Sequence, residues 1–316
     1  MLNVSVPFPK PATLKKLAWA WLILLVMGMA WGLHFSLARI AATTGAHPLG
    51  IAFWDGALAA ALLIVIIAAR RRGISMEPKL IRLYLITGLI GVVVPSVIFF
   101  YAASRVPAGV LSISIAIVPI LTFVASAAYG LEKFALGRVA GVILGTVAIV
   151  LLVGPNESLP DPAQLPWVFL ALAAAACYAA LNMVLALMAP PGASSFMLTC
   201  GMFVAASLMM VPIILATDSF VPFGWPWRAF EWSLFGLGAI NAIAFSLFFY
   251  LIDHAGPVFG SLTANVVTLF GVIWGIIIFS EQNSIWIWLS LATMMVALAL
   301  VMPRGKESAQ VIAESV

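Results

Sequence analysis

The hydrophobic layout of this 316-residue chain occurs twice: five apolar segments are followed by five more, and residues 99–153 are echoed at 248–302. Sliding the sequence by 149 positions puts Phe99, Phe100 and Tyr101 on Phe248, Phe249 and Tyr250, Ser112 on Ser261, Val118 on Val267 and Glu132 on Glu281. Val147, Ala148 and Leu151 meet Val296, Ala297 and Leu300 on the same diagonal, giving nine identities over 55 positions without a gap. Chance matches are common in sequence rich in Ala, Val and Leu, so the weight rests on the aromatic triplet and the paired glutamates. A five-helix unit crosses a bilayer an odd number of times, so its second copy must sit upside down. Inverted repeats of this kind are the usual scaffold of secondary transporters.

With 64% hydrophobic and 8% charged residues and a mean hydropathy of +1.17, the chain has more apolar surface than a soluble domain can bury. It must use lipid as solvent. A bilayer core of roughly 30 Å takes about 20 apolar residues per helix. Spans are expected at 18–38, 50–69, 83–103, 106–128, 137–154, 166–188, 196–216, 232–252, 257–279 and 284–303. The runs are long and show no strand-like alternation, which argues against a barrel. The expected fold class is an all-α integral membrane protein, ten transmembrane helices arranged as two inverted five-helix repeats. Residues 1–17 form an N-terminal segment, 18–155 the first repeat, 166–303 the second and 304–316 a C-terminal tail.

Charge placement tests that count independently. With a cytoplasmic N-terminus, the inner segments hold Lys10, Lys15, Lys16, Arg70, Arg71, Arg72, Lys79, Arg82, Lys133, Arg138, Arg304 and Lys306, leaving Arg39, Arg105 and Arg228 outside. Twelve against three fits the positive-inside rule, with both termini cytoplasmic and an inner (cell) membrane location. In the second half the inner loops around Pro190 and His254 carry no Lys or Arg, and orientation there follows from helix parity. The net charge of +4 is explained by these anchors, so no nucleic-acid partner is expected. Cys177 and Cys200 lie inside expected helices and read as small apolar residues rather than as a disulfide or metal site. The basic N-terminus precedes a helix too long for a signal peptide and without a convincing cleavage site, so it is expected to be retained.

The run Trp31-Gly32-Leu33-His34-Phe35-Ser36-Leu37-Ala38-Arg39 resembles the first-helix pattern of the drug/metabolite transporter superfamily, EamA type, which reads Trp-Gly-Ser/Thr-Asn-Phe followed by a basic residue. The resemblance extends over nearly the whole chain. It takes in the short hinge at Ala102 to Ala108, Pro119 in the fourth helix, and Glu132 and Glu281, which close each repeat where the family often has Gly-Glu-Arg. The chain departs from the pattern in having His34 for the usual Asn, Asp55 near a frequent Arg, and Leu131-Glu132-Lys133 at the corner. What the resemblance implies is a ten-helix carrier with its substrate cavity between the halves and helices five and ten at the periphery. It also implies a small-molecule cargo, since such proteins commonly export amino acids and other metabolites and some import them.

Polar groups at membrane depth need partners and usually turn away from lipid, which makes them the candidate cavity residues. Trp31 and His34 share a face of the first helix. Arg39 and Asp55 fall at the outer ends of helices one and two. There they either form a structural ion pair across the short loop or hold the two ends of a zwitterion. Tyr178 and Asn182 lie one turn apart in helix six, Asn241 near the middle of helix eight and Asn265 nine residues into helix nine; each amide could bond a substrate or a neighbouring helix. Phe100 adds to an aromatic, nearly neutral lining. Tyr101 and Tyr250 read as interfacial anchors, as do Trp225, Trp227, Trp232, Trp286 and Trp288. Ser112 and Ser114 read as packing residues. Glu132 and Glu281, each just before a following helix, read as caps of those helices.

The expected function is transport of a small metabolite, an amino acid or related amphipathic compound, most simply outward and by alternating access; import is the alternative. Gly109, Pro119, Gly256 and Pro257 are candidate hinges. A membrane enzyme would need clustered acids, bases or metal ligands, whereas His34, His47 and His254 are widely separated with no paired motif. No catalytic residue, metal or cofactor is expected. A phosphorylated cargo would want several convergent cations at depth, and apart from Arg39 the sequence offers none. The expected partners are the substrate and the bilayer, with room for a homo-oligomer.

Overall fold

The computed structural model describes residues 14–70, 73–130, 135–153, 159, 161–190, 193–255 and 263–301. Glu132, Lys133 and the hinge residues Gly256 and Pro257 lie outside them, as does the tail. Ten membrane-crossing helices follow in order: α1 (Leu14–Thr43), α2 (Pro48–Ala69), α3 (Pro78–Ala103), α4 (Ala108–Ala128) and α5 (Leu136–Val153) in the first repeat. The second holds α6 (Pro162–Met188), α7 (Ser195–Ala216), α8 (Ala229–Ala255), α9 (Thr263–Phe279) and α10 (Ile285–Val301). No strand occurs among the described residues. Eight of the helices are long and apolar enough to span a bilayer outright, and α9 and α10, at 17 residues each, reach its lower limit.

Local chemistry sets the ends and breaks of these helices. Proline opens α2 and α3 at their first helical position, where a missing N–H costs nothing, and His47 caps α2 by accepting from the Leu49 amide at 3.3 Å. This start puts α3 at residue 78, five residues earlier than expected. Pro95 lies inside α3, and the helix meets the lost hydrogen bond by widening into a π-helical turn at Leu89–Val93. Pro119 similarly divides α4 into Ala108–Ile115 and Val118–Ala128. At the other end of α1 the helix runs on to Thr43, beyond the expected end at 38, and so carries Arg39 on its last turns.

The two repeats interlock by exchanging equivalent contacts. Helix α1 packs on α8 and α9 of the other repeat, while α6 packs on α3 and α4; α2 packs on α7 and α8, while α7 packs on α2 and α3. The pairs α4 with α9 and α5 with α10 close the pattern on themselves. Such reciprocity is what a pseudo-two-fold axis produces, and with five crossings per repeat that axis relates inverted halves. Glycines permit the closest approaches: Gly88 of α3 lies against the Met202 and Ala206 backbone of α7, and Gly238 of α8 against the Leu58 side chain and Ala59 backbone of α2. Outside, Val65, Ile143, Leu208, Leu215 and Ile277 are more than half exposed, as side chains facing lipid should be. Trp225, Trp232 and Trp288 are exposed near helix ends, in keeping with an aromatic belt.

Ten crossings put the start of α1 and the end of α10 on one face of the bundle, here the terminal face. The opposite, distal face carries the α1–α2, α3–α4, α7–α8 and α9–α10 connections.

Candidate functional site

A cavity of about 540 Å³ lies between the halves. Its upper wall holds Trp31 and His34 of α1, Ser96 and Phe99 of α3, and Asn241, Phe245 and Phe248 of α8. Lower down it is lined by Thr122 and Ser126 of α4, Tyr178 and Asn182 of α6 and Thr263 of α9, ending at Arg138 and Val301 near the terminal ends of α5 and α10. The lining therefore reaches from the middle of the bundle to its terminal face.

The upper wall holds a continuous polar cluster. Asn241 Nδ2 donates to Asp55 Oδ1 at 2.9 Å and lies 3.4 Å from His34 Nε2, which is itself 3.5 Å from Asp55 Oδ1. Trp31 Nε1 donates to Asn241 Oδ1 at 3.4 Å. Asp55 stands one layer behind the wall, 3% exposed. Counting along α1, α2 and α8 at 1.5 Å per residue, these groups sit about 10 to 18 Å below the distal helix ends, well within the hydrocarbon. Tyr178 of α6 and Ser96 of α3 both face this chamber. Asn182 Nδ2 donates to Thr122 Oγ1 at 3.1 Å, bridging α6 and α4. Aromatic edges complete the chamber, with Trp31 edge-on to Phe245 at 5.0 Å between ring centres.

A second cluster ties α1, α4 and the α9–α10 connection together at the distal face. Arg39 pairs with Glu281, whose Oε1 also accepts from the Ala108 amide at 2.9 Å and whose Oε2 accepts from the Gly109 amide at 3.3 Å. One carboxylate thus satisfies free N–H groups at the start of α4 and complements its dipole, while the Arg39 guanidinium lies 4.6 Å from the centre of the Phe279 ring. Gly109 and Gly275 give it room, since an added Cβ would lie 3.3 and 2.4 Å from Glu281 Oε2.

Five of the residues expected from the sequence, Trp31, His34, Tyr178, Asn182 and Asn241, come together on this chamber. The expected pairing of Arg39 with Asp55 is not found. Helix α1 packs mainly on α8 and α9 rather than on α2, so Arg39 turns to Glu281 and Asp55 to His34 and Asn241. Phe100 is fully buried in the core and its neighbour Phe99 lines the cavity instead, one 100° helical step away. Asn265 is off the lining, with its Oδ1 buried and without a hydrogen-bond partner. Glu281 does cap a helix, yet that helix is α4 of the other repeat rather than α10. Ser96, Thr122, Phe245 and Phe248 were missed; apart from Phe248, on the repeat diagonal, nothing in the sequence singles them out.

The profile of the EamA-like transporter family matches residues 18–154 and 165–302, once for each repeat. Eighteen solved chains resemble this one. One of them, described as "Crystal structure of protein", has a TM-score of 0.62 at 19% identity, over 90% of this chain and 96% of that one. At that identity the likeness establishes the fold alone. No curated protein matches in sequence.

Proposed function

We infer that this chain, which belongs to the EamA-like transporter family, is a secondary carrier that moves a small amphipathic metabolite outward by alternating access. The observation that carries the reading is the one-sided chamber: about 540 Å³ of lined space reaching the terminal face, with the Arg39–Glu281 clasp across the distal one. A volume of that size suits a metabolite. Positive-inside placement of twelve basic residues against three makes the terminal face cytoplasmic, so the chamber loads from the cytosol of a cell whose inner membrane holds the protein. The lining is mainly aromatic and apolar with scattered amides and hydroxyls, plus His34 above and the single guanidinium of Arg138 at its terminal end, which favours an amino acid or a related compound over a polyanion that would want several convergent cations.

The test is efflux from proteoliposomes holding full-length protein and a panel of labelled amino acids and related metabolites. Saturable, protein-dependent flux of one compound class supports the reading. Absence of flux for every compound by monodisperse, correctly oriented protein overturns it.

A further inference from the structure

We propose that His34, Asp55 and Asn241 form a proton-binding site whose proton is exchanged for the ammonium group of the cargo. The cargo is then an amine with an apolar body, and the carrier a proton antiporter. This deepens the function proposed above and rests on it.

A carboxylate held in hydrocarbon is expensive unless a positive charge stands against it. Among the described residues, the basic side chain within ion-pair distance of Asp55 is His34 of α1. Among the described residues the other elements bring no ion-pair partner to Asp55: α8 presents the Asn241 amide and α7 sets Ser207 beside Gly56, next to Asp55 in α2. Three of the charges farther off are engaged elsewhere. Arg39 holds Glu281, Arg105 lies 4.0 Å from the Trp167 ring centre, and Glu231 accepts from the Gly224 and Arg228 amides. The charge of the cluster is therefore set by one proton on the imidazole.

The geometry accommodates both states. With Nε2 bare, His34 accepts from Asn241 Nδ2 at 3.4 Å, Asp55 is ionised and the cluster carries one negative charge. With Nε2 protonated, the imidazolium stands as a counter-ion 3.5 Å from Asp55 Oδ1 and the cluster is neutral. A cargo ammonium entering the chamber supplies the same positive charge, and the faces of Trp31, Phe99, Phe245 and Phe248 accept both the cation and its apolar body. The Nε2–H bond then breaks and its proton passes to water in the chamber; nothing covalent happens to the cargo. One proton returns for each amine that leaves, so a proton gradient directed inward drives amine outward.

The test uses full-length protein in weakly buffered detergent and two probes, 2-phenylethylamine and its uncharged analogue 2-phenylethanol. Binding of the amine should release about one proton per chain at pH values where the cluster is protonated, with its affinity rising about tenfold per pH unit in that range. The alcohol should release none. Asp55→Asn should abolish both the proton release and the pH dependence, and Asp55→Glu should retain them. Wild-type protein that binds the amine without proton release anywhere between about pH 5 and 9 would overturn the proposal, whatever the variants do. So would binding of neither probe by protein that moves other metabolites. In proteoliposomes, amine flux indifferent to an imposed pH gradient sinks the coupling and leaves the carrier standing, whereas no flux of any compound sinks the carrier itself.

Discussion

Glu281→Gln is nearly isosteric, yet it removes the charge on which three donors from two helices, α1 and α4, converge. The carboxylate accepts from the Arg39 guanidinium and from the Ala108 and Gly109 amides. Hydrogen bonds to a charged group contribute about 1.5–3 kcal/mol, against about 1 for neutral ones, and a carboxylate at a helix N-terminus adds about 0.3–1. Because the Arg39 side chain keeps 27% of its exposure while Glu281 keeps 7%, water recovers part of the loss at the arginine end. The variant should therefore weaken the closed distal face by about 2–4 kcal/mol. If the clasp forms only when that face is shut, about 3 kcal/mol shifts the open-to-closed ratio by roughly 150-fold. Spin labels at the exposed positions Thr44 and Gln282, on a background lacking Cys177 and Cys200, report the separation of α1 from the α9–α10 turn across this face. Wild type should give one short distance and Glu281→Gln a second, longer population, with a coupling of about 1–3 kcal/mol in a cycle with Arg39→Gln. An unchanged distance distribution, with the loss seen only as a lower unfolding temperature, would make the cluster a staple and refute its role as a gate.

Three further outcomes are expected. Gly271→Ala places a Cβ 2.3 Å from Ser112 Cβ at the α4–α9 contact. It should cost about 1–3 kcal/mol in thermal unfolding, much of it restored by Ser112→Gly, and an unaltered melting temperature would mean that these helices separate freely. His34→Ala and Asn182→Ala each remove a polar group from the chamber and should lower flux about tenfold at normal expression, measured by efflux; full flux in both would reject the chamber as the path. Trp54→Phe keeps an aromatic ring against Phe223 but loses the 2.7 Å hydrogen bond from the indole to the Val221 carbonyl, which ties α2 to the α7–α8 loop. About 1 kcal/mol of stability should go with it, and equal melting temperatures would show that the loop is held otherwise.

The helices were legible in the sequence because a membrane span satisfies its own backbone and meets lipid along its own length, so each one declares itself locally. The chamber was partly legible for a related reason: Trp31, His34, Tyr178, Asn182 and Asn241 are too polar for lipid and had to face inward. Which inward group meets which was not legible. Arg39 and Asp55 are joined by a short loop, but sequence proximity across a turn does not bring side chains together when the two helices pack on other neighbours. The true partners stand 186 residues apart for Asp55 and Asn241, and 242 for Arg39 and Glu281. Phe99 and Phe100 show the other limit, since adjacent residues of equal chemistry differ by one step of helical rotation, and a π-helical turn just before them shifts the register on which that step is counted.

Duplication and divergence have separate consequences for such a machine. Two inverted copies of one sequence would close the chamber equally well on either face, leaving both closed states at the same free energy. This chain breaks that equality on one side. Helices α6 and α7, which occupy in the second repeat the places of α1 and α2, contain no Asp, Glu, His, Lys or Arg, whereas α1 carries His34 and Arg39 and α2 carries Asp55. Glu281 has its diagonal counterpart in Glu132, but α6 offers no arginine to play the part that Arg39 plays for α1. The distal cluster therefore has an ion-pair partner that α6 cannot supply at the equivalent position of the other repeat; under the alternating access proposed above, this favours the state with the chamber open at the terminal face. The His34–Asp55–Asn241 cluster also belongs to one wall only, with no like cluster of charged groups on α6 or α7. On the proposed mechanism, shared architecture supplies the two states, and the unshared charges of α1 and α2 set the difference between them.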